Sequence, residues 1–341
     1  MSFPKWILIF VCPILIALIA YKGWSSKKWT HLTGETMGTT YQIHFQQPWL
    51  LGTRSIEAGI QSLLLAVNEQ LSTWDDASWI SKFNQTSVGI EIPVPSHAWE
   101  VLKCSLEVAE ASSGALDPAS FPLIQEWGFG PGRIEHSEVP ASETIQSLTQ
   151  LCSYQNITLH TSDRKISKAY DGVQIDCSAL AKGYAIDKIA AILEDKNLSD
   201  FSIEIGGEVR ASGKDPNEEL WQVGLEVPDG FSGHVPVLEL DNLSVATSGR
   251  SQVNKTISDS IYTHIIDPQT GYPINADHPY FSASVTAPNC MLADALATAC
   301  YILGPEKSKV LLDAFPSCSI LFLPKVKNTQ RADKCIEMKG I

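Results

Sequence analysis

Thr263-His264-Ile265-Ile266-Asp267-Pro268-Gln269-Thr270-Gly271 sets a proton-transfer residue beside a backbone that must turn. Imidazole titrates near neutrality, so a fixed His264 can take the proton of a hydroxyl nucleophile. Asp267-Pro268 and Gly271 carry the composition that ends a strand and forces a turn. The same residues suit an ordinary strand edge followed by a polar turn, so other segments must shift the odds.

Four further constellations bear on that choice. Asp294 and Thr298 are four residues apart, hence on one face of a helix, where both oxygens reach one hard cation such as magnesium; a helix-dipole acid and a back-bonding threonine are the plainer account. Asp176-Cys177-Ser178-Ala179-Leu180-Ala181-Lys182 puts an acid before a helix and an amine inside it, an arrangement that attracts phosphate or is simply a capped helix with a solvated lysine. Gly206-Gly207-Glu208 permits a tight turn or the close approach of a flat ligand, but lacks the glycine spacing of a dinucleotide fingerprint. Ala115-Leu116-Asp117-Pro118 and Trp127-Gly128-Phe129-Gly130-Pro131 join an acid to aromatic faces that either flank a conjugated ring or plug a core.

The elements that must position these residues follow from periodicity. Alternation over Thr40–Phe45 predicts a half-buried strand, and Ile56, Ile60, Leu63, Leu64, Val67 and Leu71 predict a helix face. A second helix is expected from about His97 to Ser112, stopped by Gly114. Between Ile175 and Leu193 the pattern passes from strand to helix, with Ser178 as the N-cap candidate. Strands are expected at Phe201–Ile205, Gln222–Val227, Tyr262–Ile266, Phe281–Thr286 and Ser319–Leu323, with a helix at Ala293–Leu303. Strands mixed with separated helices, without regular βαβ alternation, read as α+β.

The 341 residues suffice for one large domain. The net charge is −13; four lysines and no acid fall in residues 1–28, leaving the remainder at −17. An acidic body argues against general nucleic-acid binding, and a nucleotide substrate would need a local cation or helix N-terminus. Trp6 to Tyr21 is an apolar run flanked by Lys5, Lys22, Lys27 and Lys28, short but usable as a membrane span with Trp24 and Trp29 as interface anchors. Residues 1–28 are therefore expected to be a signal or membrane anchor, uncleaved, with residues 29–341 exported as one domain. Eight cysteines are spread singly, without zinc-site spacing; Cys318 and Cys335 are one possible disulfide pair.

In order along the chain, Thr36–Tyr41, Leu71–Asp75, Gly114–Pro118, Trp127–Pro131, Asp176–Tyr184, Glu204–Glu208, Ala246–Gly249, Thr263–Gly271 and Ala293–Thr298 resemble the FAD:protein FMN transferase family, the ApbE-type flavin transferases. The resemblance implies a single ApbE-like α+β domain behind an N-terminal membrane segment. It implies a magnesium-dependent enzyme that splits the FAD pyrophosphate, passes FMN to a Thr or Ser hydroxyl of an acceptor protein and releases AMP. Carried over by position, Met37, Trp74, Ala115, Leu116, Asp117, Asp176, Lys182 and Ile265 would line the FAD site. Asp294, Thr298 and the backbone oxygen of Ala179 would hold the metal, and His264 would be the base. The acceptor would be a membrane redox subunit, and the enzyme would be anchored in the inner membrane with its catalytic domain on the periplasmic side. Two alternatives remain open: an FAD pyrophosphatase yielding FMN and AMP, and a flavin-binding protein without activity.

Overall fold

Two ten-residue strands joined by Met37-Gly38 begin the fold: β1 (Lys27–Thr36) and β2 (Thr39–Pro48) pair along their whole length. The computed structural model describes residues 26–132, 138–229, 231, 233–250, 254–258, 260–275, 277–325 and 335–339. The apolar run Trp6–Tyr21, with Lys22 and Trp24, lies outside the described residues. Among the described residues no helix is long and apolar enough to cross a membrane. Trp29, offered above as an interface anchor, belongs to β1 and packs edge-on to Trp221 with ring centroids 5.7 Å apart.

The hairpin opens an eight-stranded antiparallel sheet. Beside β2 follow β6 (Phe201–Ile205), β7 (Glu208–Ser212), β10 (Leu243–Gly249), β14 (Tyr280–Ala287), β15 (Ser319–Pro324) and β16 (Ile336–Lys339). Three smaller sheets flank it: β3 (Ile92–Pro93) and β4 (Ile157–His160) on either side of β5 (Lys165–Lys168); β8 (Trp221–Gly224) with β9 (Val237–Leu240); and β11 (Asn254–Ile257), β12 (Ser260–Asp267) and β13 (Tyr272–Asn275) in sequence.

The helices are α1 (Arg54–Leu71), α2 (Trp79–Asn84), α3 (Ser96–Ala111), α4 (Phe121–Glu126), α5 (Ser142–Leu151), α6 (Ser178–Glu194) and α7 (Cys290–Asp313). Helix α1 buries Ile56, Ile60, Leu64, Val67 and Leu71, the stripe its 3.6-residue period dictates. Its first half packs with α6 on β2 and β6, through Phe45, Phe201 and Ile189; its end joins α3 and α7 against β10, β14 and β15. A separate cluster around Trp127, Leu123, Ile145 and Ile266 fixes the small β11–β13 sheet to α4 and α5. Burying each such side chain contributes about 1.5–3 kcal/mol relative to leaving it exposed.

The α+β reading holds, and four local expectations are corrected. The strand expected at Gln222–Val227 is the shorter β8, which ends at Gly224. Ile175 lies in irregular chain, not a strand, because the Asn84 side chain takes the part of a neighbouring strand: its Oδ1 accepts the Ile175 N–H at 2.7 Å and its Nδ2 donates to the Ile175 carbonyl at 2.9 Å. Ser178 is the first residue of α6 rather than its cap; the Asp176 carboxylate accepts the Ser178 N–H at 2.9 Å. The last helix extends from Cys290 to Asp313, beyond the expected Ala293–Leu303, and breaks at Gly304, where φ is +71° ahead of Pro305. Cys318 and Cys335 are unbonded, as are the other five described cysteines.

Candidate active site

His264 is presented by a bulge. From Tyr262 to Ile266, β12 advances four residues while its partner β13 advances two, from Asn275 to Pro273. The surplus falls on Thr263-His264-Ile265. The buried Thr263 hydroxyl accepts the Ile265 N–H at 3.3 Å and donates to the Ile265 carbonyl at 3.4 Å, closing the bulge on itself. Thr263 and Ile265 are buried, and the half-buried His264 between them lines the adjoining cleft. The expected turn follows: Gly271, at φ +77°, donates its N–H to the Asp267 carbonyl at 2.8 Å. Trp127, fully buried, donates its indole N–H to the Gly271 carbonyl at 2.9 Å. Trp127 is thus a core plug that anchors this turn, while Phe129 lines the cleft.

The start of α6 forms the next wall. One Asp176 oxygen takes both the N–H and the hydroxyl of Ser178, and the other accepts the Thr73 hydroxyl at 3.0 Å. The acid therefore ties the loop after α1 to the helix N-terminus, whose backbone donors and partial positive charge favour an anion. One turn on, Lys182 Nζ lies 3.5 Å from Glu208 Oε1. Gly206 permits this approach: a Cβ there would stand 3.3 Å from Lys182 Cδ and 2.9 Å from Thr39 Cγ2.

Helix α7 supplies Asp294 and Thr298. Its first N–H groups are already satisfied, by Asn289 at 2.9 Å for Leu292 and by the two Asp187 oxygens at 2.9 Å each for Cys290 and Met291. Asp294 is therefore free of the capping role a helix-start acid usually fills. It is buried and accepts the Gly183 N–H of α6 at 3.1 Å. The Thr298 hydroxyl is 3.0 Å from Ser248 Oγ, and its bond back to the Asp294 carbonyl is long, at 3.4 Å.

Charge is unbalanced here. Burial opposes ionisation of Lys182, but Asp294 and Glu208 more than offset it and raise its pKa, so it is an ammonium. Burial pushes Glu208 up to about 8 against the pull of Lys182, and raises Asp294 as well. Glu208 is only 2% exposed, and its Oε2 has no hydrogen-bond partner. Two acids share the one Lys182 ammonium, and burial keeps Glu208 largely protonated at neutral pH, so both can ionise together only beside a further cation. Among the described residues no three His, Cys, Asp or Glu side chains converge as a metal cluster. The candidate donors are instead mixed oxygens: the Asp294 carboxylate, the Thr298 hydroxyl and the Ala179 carbonyl.

All these residues face one cleft. A cavity of about 350 Å³ is lined by each of the twelve residues the resemblance singled out: Met37, Trp74, Ala115, Leu116, Asp117 and Asp176, and then Ala179, Lys182, His264, Ile265, Asp294 and Thr298. It shares Met37, Trp74, Asp176, Lys182 and His264 with an outer cavity of about 670 Å³. Met37 reaches the cleft from an uncommon left-handed backbone, φ +51°, in the β1–β2 turn. Trp74 is 58% exposed at the mouth. Asp117 is buried deeper; its oxygens accept the N–H groups of Ala119 at 2.8 Å and Tyr154 at 2.7 Å, and burial pushes it up to about 6 against those bonds.

Sequence reasoning gave no role to Glu208, Ser248 or Thr73. Glu208 follows the Gly-Gly turn and Ser248 lies within the Ala246–Gly249 segment, signals that were visible without indicating which way the side chains face.

Residues 37–322 match the model of the ApbE family. The chain is 34% identical over 284 residues to an FAD:protein FMN transferase of Haemophilus influenzae, covering 81% of each chain. It is 33% identical over 287 residues to one of Vibrio cholerae, covering 83% of this chain and 84% of the relative. The structure superposes on the flavin transferase ApbE from Vibrio cholerae with a TM-score of 0.80 and 30% identity, over 92% of this chain and 98% of that one.

Proposed function

This chain belongs to the ApbE family and is an FAD:protein FMN transferase, and on that premise we propose that its cleft binds FAD with magnesium and passes FMN to a Thr or Ser hydroxyl of an acceptor protein. The carrying observation is the convergence of a bulge-held His264, an ammonium at Lys182 and a buried oxygen-donor set at Asp294 on one cleft.

The donor set suits a hard cation. It consists of oxygens, it includes a buried carboxylate, and its surroundings carry one ammonium against two acids, with Glu208 Oε2 unpartnered. Asp294, Thr298 and the Ala179 carbonyl would hold magnesium, which when bound supplies positive charge to the pyrophosphate oxygens. The chain's own groups do the rest. The α6 N-terminus and Lys182 balance phosphate charge, and the walls carrying Met37, Trp74, Ala115, Leu116 and Asp117 hold the flavin and nucleotide. His264 takes the acceptor hydroxyl proton as that oxygen bonds to the FMN-side phosphorus. The phosphorus–oxygen bond to AMP then breaks, and AMP leaves.

The apolar run Trp6–Tyr21 supports membrane anchoring; the inner membrane, the periplasmic side and a membrane redox subunit as acceptor follow from the family resemblance alone. Incubating the protein with FAD, magnesium and a threonine-bearing acceptor tests the reading. An acceptor mass gain of one FMN, with AMP released, is the expected result. Free FMN with an unmodified acceptor would make the enzyme a pyrophosphatase instead.

A further inference from the structure

The turn after β2 exposes Trp49 (63%) and Leu50 (53%) side by side. It is a held turn. The Leu51 N–H donates to the Pro48 carbonyl at 3.0 Å, and the Gln47 amide donates to Thr30 at 2.9 Å and Thr53 at 2.8 Å, so its base is pinned to β1 and to the start of α1. Leu51 turns inward onto the apolar cluster beneath α1, leaving Trp49 and Leu50 as the outer pair. Single exposed apolar side chains are common on soluble proteins; a Trp-Leu pair at the tip of a fixed turn is a stronger signal.

The position of the pair indicates its occupant. The Trp49 N–H donates to the Ser26 carbonyl at 2.8 Å. The apolar run Trp6–Tyr21 ends five residues before Ser26, a reach of at most about 18 Å even for fully extended chain. We infer that Trp49 and Leu50 dock into the surface of the same bilayer that the N-terminal run enters. This inference rests on reading that run as a membrane anchor. Indole suits the headgroup layer, being apolar in body with one N–H donor, and leucine suits the acyl boundary beneath. Nearby charge is mixed, since Lys27 is paired with Asp200 at 3.4 Å. Apolar insertion therefore carries the contact, with the tether keeping the turn at high local concentration.

The opposite end of the same hairpin forms part of the active-site cleft, through Met37 and Gly38. Ten-residue strands at about 3.3 Å per residue set that end at most about 30 Å above the docked turn. The hairpin is thus a spacer, and the acceptor that fits is a membrane protein presenting its hydroxyl on an extramembrane segment within that height.

The test uses the full chain in phosphatidylcholine vesicles, with an environment-sensitive fluorescent amino acid encoded singly at Ala17, Leu50 or Thr40. Lipids brominated on the acyl chain should quench the probes at Ala17 and Leu50 and leave Thr40 unchanged. Quenching at Ala17 but not at Leu50 overturns the docking while the anchor reading stands. A Leu50 probe shielded from aqueous iodide yet untouched by brominated lipid also overturns it, because protein rather than lipid would then cover the turn. Loss of quenching at both Ala17 and Leu50 overturns anchor and docking together. In the Trp49→Ser/Leu50→Ser variant, transfer to a soluble acceptor peptide should be unchanged, whereas transfer to an acceptor in the same vesicles should fall several-fold.

Discussion

The Thr263 hydroxyl accepts the Ile265 N–H at 3.3 Å, spanning His264. The base of the proposed reaction therefore depends on a buried side chain that does not line the cleft. Two extra residues in a strand would ordinarily be free to relax; here the hydroxyl gives the bulge a fixed set of hydrogen bonds. In Thr263→Val the shape is kept and the hydroxyl lost, which costs about 1 kcal/mol of stability. Transfer should fall tenfold or more with FAD affinity unchanged, as measured by single-turnover flavinylation beside flavin-fluorescence titration. Equal rates in variant and parent would reduce Thr263 to a packing residue.

His264→Ala should bind FAD and fail in transfer. Losing a positioned general base typically costs about 10²–10⁴-fold, and the deficit should shrink at high pH, where the acceptor hydroxyl needs less help. Unchanged transfer at neutral pH would remove His264 from the chemistry.

Glu208 and Asp294 press two acids against Lys182, an arrangement in which both ionise only when a further cation is present. Glu208→Gln removes the buried carboxylate whose Oε2 lacks a partner while keeping its volume. The protein without ligand should melt at nearly the same temperature at neutral pH, since a neutral amide replaces an acid that burial already holds largely protonated. The gain in Tm from FAD and magnesium should shrink. A lower ligand-free Tm with an undiminished ligand gain would contradict this account.

The fold was legible where side chains alternate or wind with a clear period. Tyr41, Ile43 and Phe45 point inward from β2, and the α1 stripe faces the sheet, as their spacing requires. β1 was not legible, because its side chains are mostly exposed or half-buried on both faces and its partner, not its pattern, makes it a strand. The irregular chain at Ile175 could not be foreseen either, since the side chain that satisfies it, Asn84, is remote in sequence. At the site, acid, amine and hydroxyl types were readable from motifs. Glu208 was not, because an acid after two glycines is by default a solvated turn residue; only the tertiary approach of Lys182 turns it inward.

Asp117 gives the stability a pH signature. Burial raises its pKa from 3.8 to about 6, so the folded state favours its protonated form. The stabilisation is complete below the unfolded pKa and is lost as pH rises through the folded one, a change of roughly 3 kcal/mol for a shift of this size. Asp117→Asn should be less stable overall, since the Ala119 and Tyr154 N–H groups point at different oxygens and the Nδ2 that replaces one of them is a donor that cannot accept. Between about pH 4 and 6, however, its Tm should decline less with rising pH than the parent's. Parallel Tm curves for the two proteins would show that Asp117 is not the titrating group.

The contact that joins the anion-binding helix to the metal-donor helix is Gly183. Its N–H donates to Asp294 at 3.1 Å, and a Cβ at this position would stand 2.3 Å from the Cys290 carbonyl oxygen and 2.8 Å from Met291 Cα. Those are backbone atoms of the α7 N-terminus, so no side chain can swing aside; the helices must separate. In Gly183→Ala, better helix propensity gives back about 1 kcal/mol at most, while overpacking costs about 1–3 kcal/mol. Because the clash is with backbone, the cost should lie at the upper end of that range, and the variant should be clearly destabilised. The functional change should be larger, because separating α6 from α7 moves Lys182 and Ala179 away from Asp294 and Thr298. Magnesium titration of FAD binding should show weakened metal affinity in a protein that still folds cooperatively. A variant with parental magnesium affinity would mean that the two helices need no such close approach to assemble the site.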